Sequence, residues 1–400
     1  MSDLAGRLRN ARAASDSLFG LIRPDSFYER PIPERHRIIF YLGHLEAFDW
    51  NLLCRHGLEI PSFHAAFDEL FRRGIDPAPG QTAEDQPSDW PSVEETRGYG
   101  RRTRALVDTC LQQLPDELVH TAIEHRLMHV ETVAYILMNL EDSRKLAPPG
   151  QAAPTLPPPA AAMCEIPAGS ATLGLPRDAG FGWDNEFNAH TADVPAFAIS
   201  KYMVTNGEYL EFVNAGAGAP HFWRAHRGGW RLKLSHGSIP LPADWPVWVT
   251  HAEASAYARW RGGQLPSEPQ FHRAAYGAKG GEERPYPWGE CAPGPQHGCF
   301  NLLRWDPVPV TAHPAGESAF GVAQMVGNGW EWTSSAFAPF SGFKPAPYYE
   351  TYSADFFDGK HFVLKGAAPV TPSTFLRRSF RNWFRAEYPY MFAGFRLVET

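Results

Sequence analysis

A proline- and alanine-rich stretch divides the chain into two halves of different character. It reads RKLAPPGQAAPTLPPPAAA over residues 144–162. The repeated prolines prevent a helix and the alanines offer little surface to a hydrophobic core, so we predict an extended linker here. A chain of 400 residues also exceeds the usual length of one domain. The sequence therefore predicts one domain over residues 1–145, a linker over 146–163 and a second domain over 164–400.

The N-terminal half shows helical periodicity. Apolar residues recur at spacings of three and four residues, which is the pattern of one helix face. Ser92 and Glu95 form a predicted capping box at the start of one periodic segment. The periodic segments cover residues 4–19, 35–55, 62–73, 93–114 and 117–140. Four long helices with short connections predict a four-helix bundle.

The C-terminal half lacks this regularity. Short apolar pieces alternate with glycine and proline, and the aromatic residues concentrate after residue 160. Helical periodicity is limited to residues 206–215, 251–260 and 268–275. We predict an α+β domain with much irregular structure, so the fold class is a multidomain combination of α and α+β.

Charge and composition exclude several classes of partner. Lys and Arg number 37 and Asp and Glu number 44, a net charge of −7, and no basic run is long enough to follow a phosphate backbone. No uncharged apolar run reaches the roughly 18 residues of a membrane helix, and the N-terminus lacks the apolar segment of a signal peptide. The five cysteines are scattered and form no CxxC motif. We expect a cytoplasmic protein that binds neither nucleic acid nor membranes; the sequence does not predict its oligomeric state.

Three histidines of the N-terminal half form a candidate metal site. His125 and His129 are four residues apart in EHRLMHVET, which places them on one helix face, one turn apart. His44 lies in the apolar stretch IIFYLGHLEAFDW, where an unpartnered imidazole is costly to bury. If the two helices meet in the bundle core, the three side chains can share one ion. Three imidazoles suit Fe(II), Zn or Cu better than Ca or Mg, which prefer oxygen ligands.

Nearby carboxylates are not expected to join this site. Glu46 and Glu131 each lie two residues from a candidate ligand, about 200° around the helix. Glu124 adjoins His125 and could orient it from outside the coordination sphere, although we expect an exposed charge there. A face of three imidazoles leaves positions open for O₂ and a substrate atom, as a catalytic metal site requires.

Six motifs in the C-terminal half carry a family resemblance. They are, in order, FGWDNEF (181–187), YMVTNGEYLEF (202–212), ARWRGGQLPSEPQFHRAA (258–275), GNGWEWTSS (327–335), VLKGAA (363–368) and SFRNWFR followed by FAGFRL (379–397). Together they resemble the formylglycine-generating-enzyme/sulfatase-modifying module, which has a C-type-lectin-like fold. Its copper-dependent members need a cysteine pair near the last motif, and residues 374–396 contain no cysteine. The resemblance therefore implies this fold with a different chemistry.

The order of the two halves extends the resemblance to nearly the whole chain. A DinB-like bundle with three histidines, followed by this module, resembles the EgtB-type non-heme iron sulfoxide synthases and the related selenoneine synthases. The resemblance implies Fe(II) bound by His44, His125 and His129, with O₂ as co-substrate. It also implies that hercynine, the Nα-trimethylated histidine, is the acceptor.

The same resemblance implies substrate residues in the C-terminal half. An RNW segment of the family holds the amino-acid end of hercynine, and the matching positions here are Asn382 and Trp383. A tyrosine near the iron donates a proton in the family. The segment YYETYSADFF offers Tyr349 and Tyr352 for that role, and the sequence does not decide between them.

Two substrate-binding positions depart from the members that use γ-glutamylcysteine. Those members carry Gln just before the second histidine of the HxxxH motif and Asp after the RNW segment, where this chain has Met128 and Phe384. The departures favour an uncharged, hydroxyl-rich selenosugar, because aromatic rings cover sugar CH faces. Members that use free cysteine also lack the Asp. A sulfoxide synthase of ergothioneine biosynthesis, using cysteine or γ-glutamylcysteine, is therefore the alternative to a selenoneine synthase.

Two further hypotheses stay open. A DinB-type metal-dependent thiol transferase would use the same histidines with zinc. A non-catalytic protein would use the lectin-like module to bind a ligand, with the histidines as core packing. Metal content and O₂ consumption distinguish these hypotheses from the synthase.

Overall fold

The computed structural model describes residues 3–72, 83–150 and 152–399. The chain forms two compact units, Met1–Pro148 and Pro149–Thr400. Their boundary falls inside the predicted linker, whose described residues form no helix or strand before Met163, where the first strand of the C-terminal unit begins. None of the helices in the described ranges has the length and apolar character needed to cross a membrane.

The N-terminal unit is a bundle of helices. Its long helices confirm the predicted bundle: α1 packs against α5, and α2 packs against both α4 and α5. A π-helix over Trp50–His56 continues α2 without a break. The α-helices of the unit are α1 (Leu4–Phe19), α2 (Ile38–Asp49), α3 (Ala65–Leu70), α4 (Val93–Cys110) and α5 (Asp116–Asn139).

The predicted starts of two helices were wrong. The second helix begins at Ile38 instead of residue 35, because the preceding chain folds back and its carbonyls at Phe27 and Glu29 accept the N–H groups of the first turn. The third helix covers only Ala65–Leu70 of the predicted 62–73, since the ring of His64 caps its first turn. Residue 73 lies outside the described residues.

Side-chain capping fixes the start of α4 as predicted. The Ser92 hydroxyl accepts the N–H of Glu95 at 3.2 Å, and the Glu95 carboxylate accepts the N–H of Ser92 at 2.9 Å. These bonds satisfy two amide donors that have no partner within the helix.

The C-terminal unit combines short strands with four α-helices among its described residues. The predicted helices are confirmed to within one or two residues as α6 (Asn206–Asn214), α7 (His251–Arg261) and α8 (Glu268–Tyr276), and α9 is the single turn Thr351–Ala354. The strands are β1 (Met163–Ile166), β2 (Gly169–Leu173), β3 (His190–Val194), β4 (Phe197–Ser200), β5 (Trp223–His226), β6 (Gly229–Lys233), β7 (Ser238–Pro240), β8 (Gly329–Ala336), β9 (His361–Ala367), β10 (Asn382–Arg385), β11 (Ala393–Gly394) and β12 (Val398–Glu399).

Four small sheets organise these strands. Their strand orders are β1-β4-β12, β10-β9-β8-β11, β2-β3 and β5-β6-β7. In the four-stranded sheet, Trp383 of β10 lies opposite Val363 of β9, and Trp332 of β8 lies opposite Leu364. Both Trp330 and Trp332 of β8 are buried, so this sheet contributes large aromatic side chains to the core.

Candidate metal centre

The structure brings His44 of α2 together with His125 and His129 of α5. One ring nitrogen of each residue lies within 4.8 Å of the others. The ring centroids are 4.6 to 5.1 Å apart. All three side chains are buried, with exposed fractions of 4%, 2% and 3%. Because metal–nitrogen bonds are about 2.1 Å long, two nitrogen ligands of one ion lie at most about 4.2 Å apart, so the observed spacing is compatible with a shared ion after a small adjustment of the rings.

The protonation of the three rings suits metal binding. Burial lowers the pKa of His44 to about 4 and holds the pKa values of His125 and His129 well below their ordinary value of 6.5. All three are therefore neutral near pH 7. Among the described residues, Nε2 of His44 and Nδ1 of His129 have no hydrogen-bond partner. Buried polar atoms without partners are costly, and a bound transition metal would use these lone pairs.

A backbone carbonyl fixes the tautomer of His44. Nδ1 of His44 lies 2.6 Å from the carbonyl oxygen of Phe71, which follows α3. A carbonyl can only accept, so Nδ1 carries the proton and Nε2 keeps its lone pair.

Aromatic rings form the walls beside the histidines. Phe48 stacks on His125 with centroids 3.4 Å apart, and Phe40 stacks on His44 at 4.8 Å. These contacts fix the ring planes and exclude water from the apolar side of each imidazole. Sequence spacing could have suggested them, since each phenylalanine is four residues from His44 on α2.

A buried ionic network joins the helices that carry the histidines. Arg126 of α5 donates to Asp49 at 2.6 Å and to Glu46 at 3.0 Å, both on α2. Arg104 of α4 also donates to Glu46, at 2.7 Å. Burial alone would raise the pKa of Glu46, but the two arginines outweigh it and lower that pKa to about 2. The Glu46 carboxylate is therefore bonded to the arginines of this network. Among the described residues, the candidate metal cluster consists of the three imidazoles.

The expectation of an exposed Glu124 was wrong. Its exposed fraction is 2%, because α5 is buried on all sides here: every residue from Thr121 to Arg126 is buried. The sequence offered no signal for this, since a charged residue beside a buried histidine is normally on the solvent face.

The predicted substrate residues of the C-terminal half lie in an aromatic cluster of that unit. Tyr352 stacks on Trp183 at 4.1 Å and meets Trp383 edge-on at 5.4 Å. Trp383 stacks on Phe337, also at 4.1 Å. The side-chain oxygen of Asn382 accepts the N–H of Trp383 at 2.9 Å. Trp183 and Phe337 were not predicted from the sequence as members of this cluster, although Trp183 belongs to the FGWDNEF motif.

Tyr349 lies at the edge of this cluster. Its ring centroid is 5.5 Å from that of Tyr352. Burial, together with the charge of Asp184, raises the pKa of Tyr349 to about 12, so its hydroxyl stays protonated at neutral pH. Asp184 accepts from Ser353 at 2.5 Å. The segment therefore presents two tyrosines in different surroundings, one beside a carboxyl group and one between two tryptophans.

The two positions that differ from the γ-glutamylcysteine-using members, Met128 and Phe384, are half-buried. Met128 lies on α5 between His125 and His129. Phe384 follows Trp383 on β10 and stacks on Tyr388 at 5.0 Å. Neither side chain can form an ion pair.

Comparison with protein families matches both halves of the chain. Residues 150–400 match the profile of the sulfatase-modifying factor enzyme 1-like domain, and residues 7–139 match that of the DinB superfamily. The predicted combination of a DinB-like bundle with this lectin-like module is thereby confirmed.

Three curated relatives match between 54% and 95% of the chain. The hercynine oxygenase of Mycolicibacterium thermoresistibile is 36% identical over 77% of this chain and 75% of its own length. The hercynine oxygenase of Mycobacterium tuberculosis is 41% identical over 54% of this chain and 55% of its own length. Ergothioneine biosynthesis protein 1 of Schizosaccharomyces pombe is 28% identical over 95% of this chain. The chain spans about half the length of the last two relatives, at 55% and 54%. It belongs to the EgtB-type family, in which a DinB-like helical domain precedes a sulfatase-modifying-factor-like domain.

Proposed function

We propose that the protein is a non-heme Fe(II), O₂-dependent enzyme that forms a carbon–selenium bond at imidazole C2 of hercynine, with a selenosugar as donor and selenoneine as product. The observation that carries this proposal is the convergence of three buried, neutral imidazoles from α2 and α5. The alternative is carbon–sulfur bond formation with cysteine or γ-glutamylcysteine. The names of the relatives support hercynine as the acceptor in both cases.

The donor set supports a borderline transition metal. Imidazole nitrogens suit iron, zinc or copper, and a three-ligand face leaves coordination positions open. Fe(II), when bound, would supply the one-electron and O₂ chemistry that amino-acid side chains lack. His44, His125 and His129 would hold it, while Phe40 and Phe48 keep two of the rings in place.

The aromatic cluster of the C-terminal unit supports binding of a quaternary ammonium group. Cations bind over the faces of tryptophan and tyrosine, with tryptophan the strongest partner. Trp183, Tyr352 and Trp383 provide such faces within one cluster. We assign Trp383 to the trimethylammonium group of hercynine, and the amide of Asn382 to its carboxylate.

The nature of Met128 and Phe384 supports an uncharged donor. A γ-glutamyl thiol carries several charges, and a charged group needs polar partners when it leaves water. An aromatic ring at position 384, half-buried against Tyr388, instead suits the CH face of a sugar.

A tyrosine hydroxyl would deliver a proton during the reaction. The contact of Tyr352 with Trp383 supports Tyr352 for this role, since Trp383 is the residue assigned to hercynine. Tyr349, whose pKa is raised to about 12, would keep its proton and serve as a neighbour.

The proposal is tested by an aerobic assay of the Fe(II)-loaded full chain with hercynine. Selenosugar, cysteine and γ-glutamylcysteine are offered in parallel, products are identified by mass, and O₂ consumption is recorded. The expected result is selenoneine formation that is lost in His125→Ala/His129→Ala. Turnover with only a thiol would overturn the selenium assignment. A zinc-containing protein that consumes no O₂ would favour the thiol transferase and overturn the synthase.

A further inference from the structure

Gly43, the residue before His44 on α2, lies against the ring of Phe71. A methyl group on its Cα would lie less than 3.0 Å from Cδ1, Cε1 and Cζ of that ring, closer than side-chain carbons approach one another. Glycine is unfavourable inside a helix compared with alanine. The close approach of Phe71 gives a physical reason for glycine at this position.

The ring of Phe71 is packed among other aromatic rings of the N-terminal unit. It is fully buried, and the rings of Phe67, Trp90 and Tyr99 lie around it at centroid distances of 5.5, 6.1 and 6.4 Å. A methyl group at Gly43 would therefore push Phe71 as a whole, including its backbone. That backbone carries the carbonyl oxygen bonded to Nδ1 of His44 at 2.6 Å.

The other side of α3 is anchored separately. Asp68, which is 1% exposed, accepts from Ser62 at 2.6 Å, from Tyr99 at 2.8 Å and from Trp50 at 3.1 Å. These bonds tie α3 to α4 and to the π-helix. The Phe71 carbonyl is therefore held in place by the anchored helix α3. Because Gly43 has no side chain, this carbonyl can approach the ring of His44 closely.

We infer that Gly43 and the Phe71 carbonyl are positioning groups that hold His44 in the tautomer with Nδ1 protonated and Nε2 available to a metal. This inference rests on the proposed metal site. Partners of this kind outside the coordination sphere typically contribute roughly 10–100-fold to metal affinity.

The test titrates the full-length metal-free protein with Co(II), whose visible absorption reports both the affinity and the number of ligands. In Gly43→Ala we expect the dissociation constant to rise by roughly 10-fold or more. The matched control is Gly57→Ala in the same unit, where a methyl group would lie 2.7 Å from Cδ2 of Leu114 and where the three nearest described atoms belong to neither His44 nor Phe71. Its Co(II) affinity is expected to stay within about twofold of the parent, even if the melting temperature falls.

A second substitution separates positioning from loss of packing. Phe71→Val removes the ring atoms that a methyl group at Gly43 would overlap and keeps the carbonyl. The double variant Gly43→Ala/Phe71→Val should therefore recover the Co(II) affinity and spectrum of Phe71→Val alone. A further readout is the ¹⁵N shift pattern of His44 in the metal-free parent, which identifies the protonated nitrogen without any variant.

The outcomes distinguish the two proposals. A parent protein that binds no Co(II) would contradict the metal site itself. A parent that binds Co(II), with Gly43→Ala folded and equal in affinity, would overturn the positioning role. A proton on Nε2 of His44 in the metal-free parent would overturn it as well, even if Gly43→Ala fails to fold.

Discussion

The guanidinium of Arg126 lies 2.6 Å from the carboxylate of Asp49, and both side chains are fully buried. Arg126 directly follows His125 on α5, and Asp49 lies on α2, the helix that carries His44. This ion pair therefore links the two helices whose histidines form the candidate metal centre.

Loss of one partner should destabilise the N-terminal unit. Asp49→Ala leaves the Arg126 charge buried with Glu46 as its remaining acidic partner in the network, so we expect a loss of about 3 kcal/mol in the free energy of unfolding. Urea denaturation followed by helical circular dichroism measures it. The control is Glu94→Ala, which removes the exposed pair with Arg101 and should cost less than about 1 kcal/mol. Equal losses in both variants would contradict a special role for the buried network.

The helical half shows how much spacing in the sequence can establish. Residues 4–19 were predicted as a helix with the observed bounds, because regular apolar spacing ended at both sides. The meeting of His44 with the HxxxH pair follows from the same spacing, together with the cost of burying a lone imidazole. Metal binding itself stays a prediction.

Other features depended on residues far apart in the chain. The partners of Arg126 are Glu46 and Asp49, which are 80 and 77 residues away. The tautomer of His44 depends on the backbone of Phe71, which no side-chain pattern reveals. The π-helix over Trp50–His56 has a different hydrogen-bond register with the same apolar spacing, so periodicity could not identify it.

In the C-terminal half, the sequence predicted the three longer helices and the class of fold but not the individual strands. Its strands are short, and several pair with partners distant in sequence, such as β12 with β4 and β11 with β8. All described strands except β8 and β9 have two to five residues, and apolar alternation over so few positions is too brief to identify a strand. Motif resemblance supplied the fold that periodicity could not.

Low pH should lower the stability of the C-terminal unit by protonating Glu186. This buried carboxylate accepts from Arg377 at 2.5 Å and from Ser379 at 2.7 Å. Burial alone would raise its pKa, but Arg377 and the hydrogen bonds outweigh burial and hold the pKa below its ordinary 4.5. Because the folded-state pKa is the lower one, ionised Glu186 stabilises the fold above about pH 4.5, and this contribution is lost as the pH falls through the folded-state value.

The comparison of the parent with Glu186→Gln measures this contribution. At pH 7 the parent should be more stable by about 3 kcal/mol in urea denaturation followed by tryptophan fluorescence. The difference should shrink as the pH is lowered below about 4.5. A difference that stays constant from pH 7 to pH 3 would show that Glu186 does not remain ionised as proposed.

The identity of the donor should respond to two substitutions. Met128→Gln together with Phe384→Asp introduces the two polar groups that γ-glutamylcysteine-using members carry. We expect turnover with γ-glutamylcysteine to rise by about tenfold or more, because each charge-assisted hydrogen bond contributes about 1.5–3 kcal/mol. Phe384→Asn, which adds an amide without charge, is the control and should give a smaller gain. No gain in the double variant would argue against these positions as determinants of the donor.

The two tyrosines should respond differently to loss of their hydroxyl groups. Tyr352→Phe keeps the ring stacked on Trp183 but removes the proposed proton donor, so we expect product formation to fall by about 100-fold. Tyr349→Phe should have a smaller effect. Steady-state product formation, with O₂ consumption recorded in parallel, measures both variants. A larger loss in Tyr349→Phe would transfer the role to Tyr349.

The iron content after anaerobic loading with Fe(II) shows whether the three histidines form a metal site. After removal of unbound metal, elemental analysis should find about one iron per chain in the parent and almost none in His125→Ala/His129→Ala. His226→Ala/His236→Ala, which removes two exposed histidines, is the control and should bind iron like the parent. Equal iron content in all three proteins would contradict a metal site formed by His44, His125 and His129.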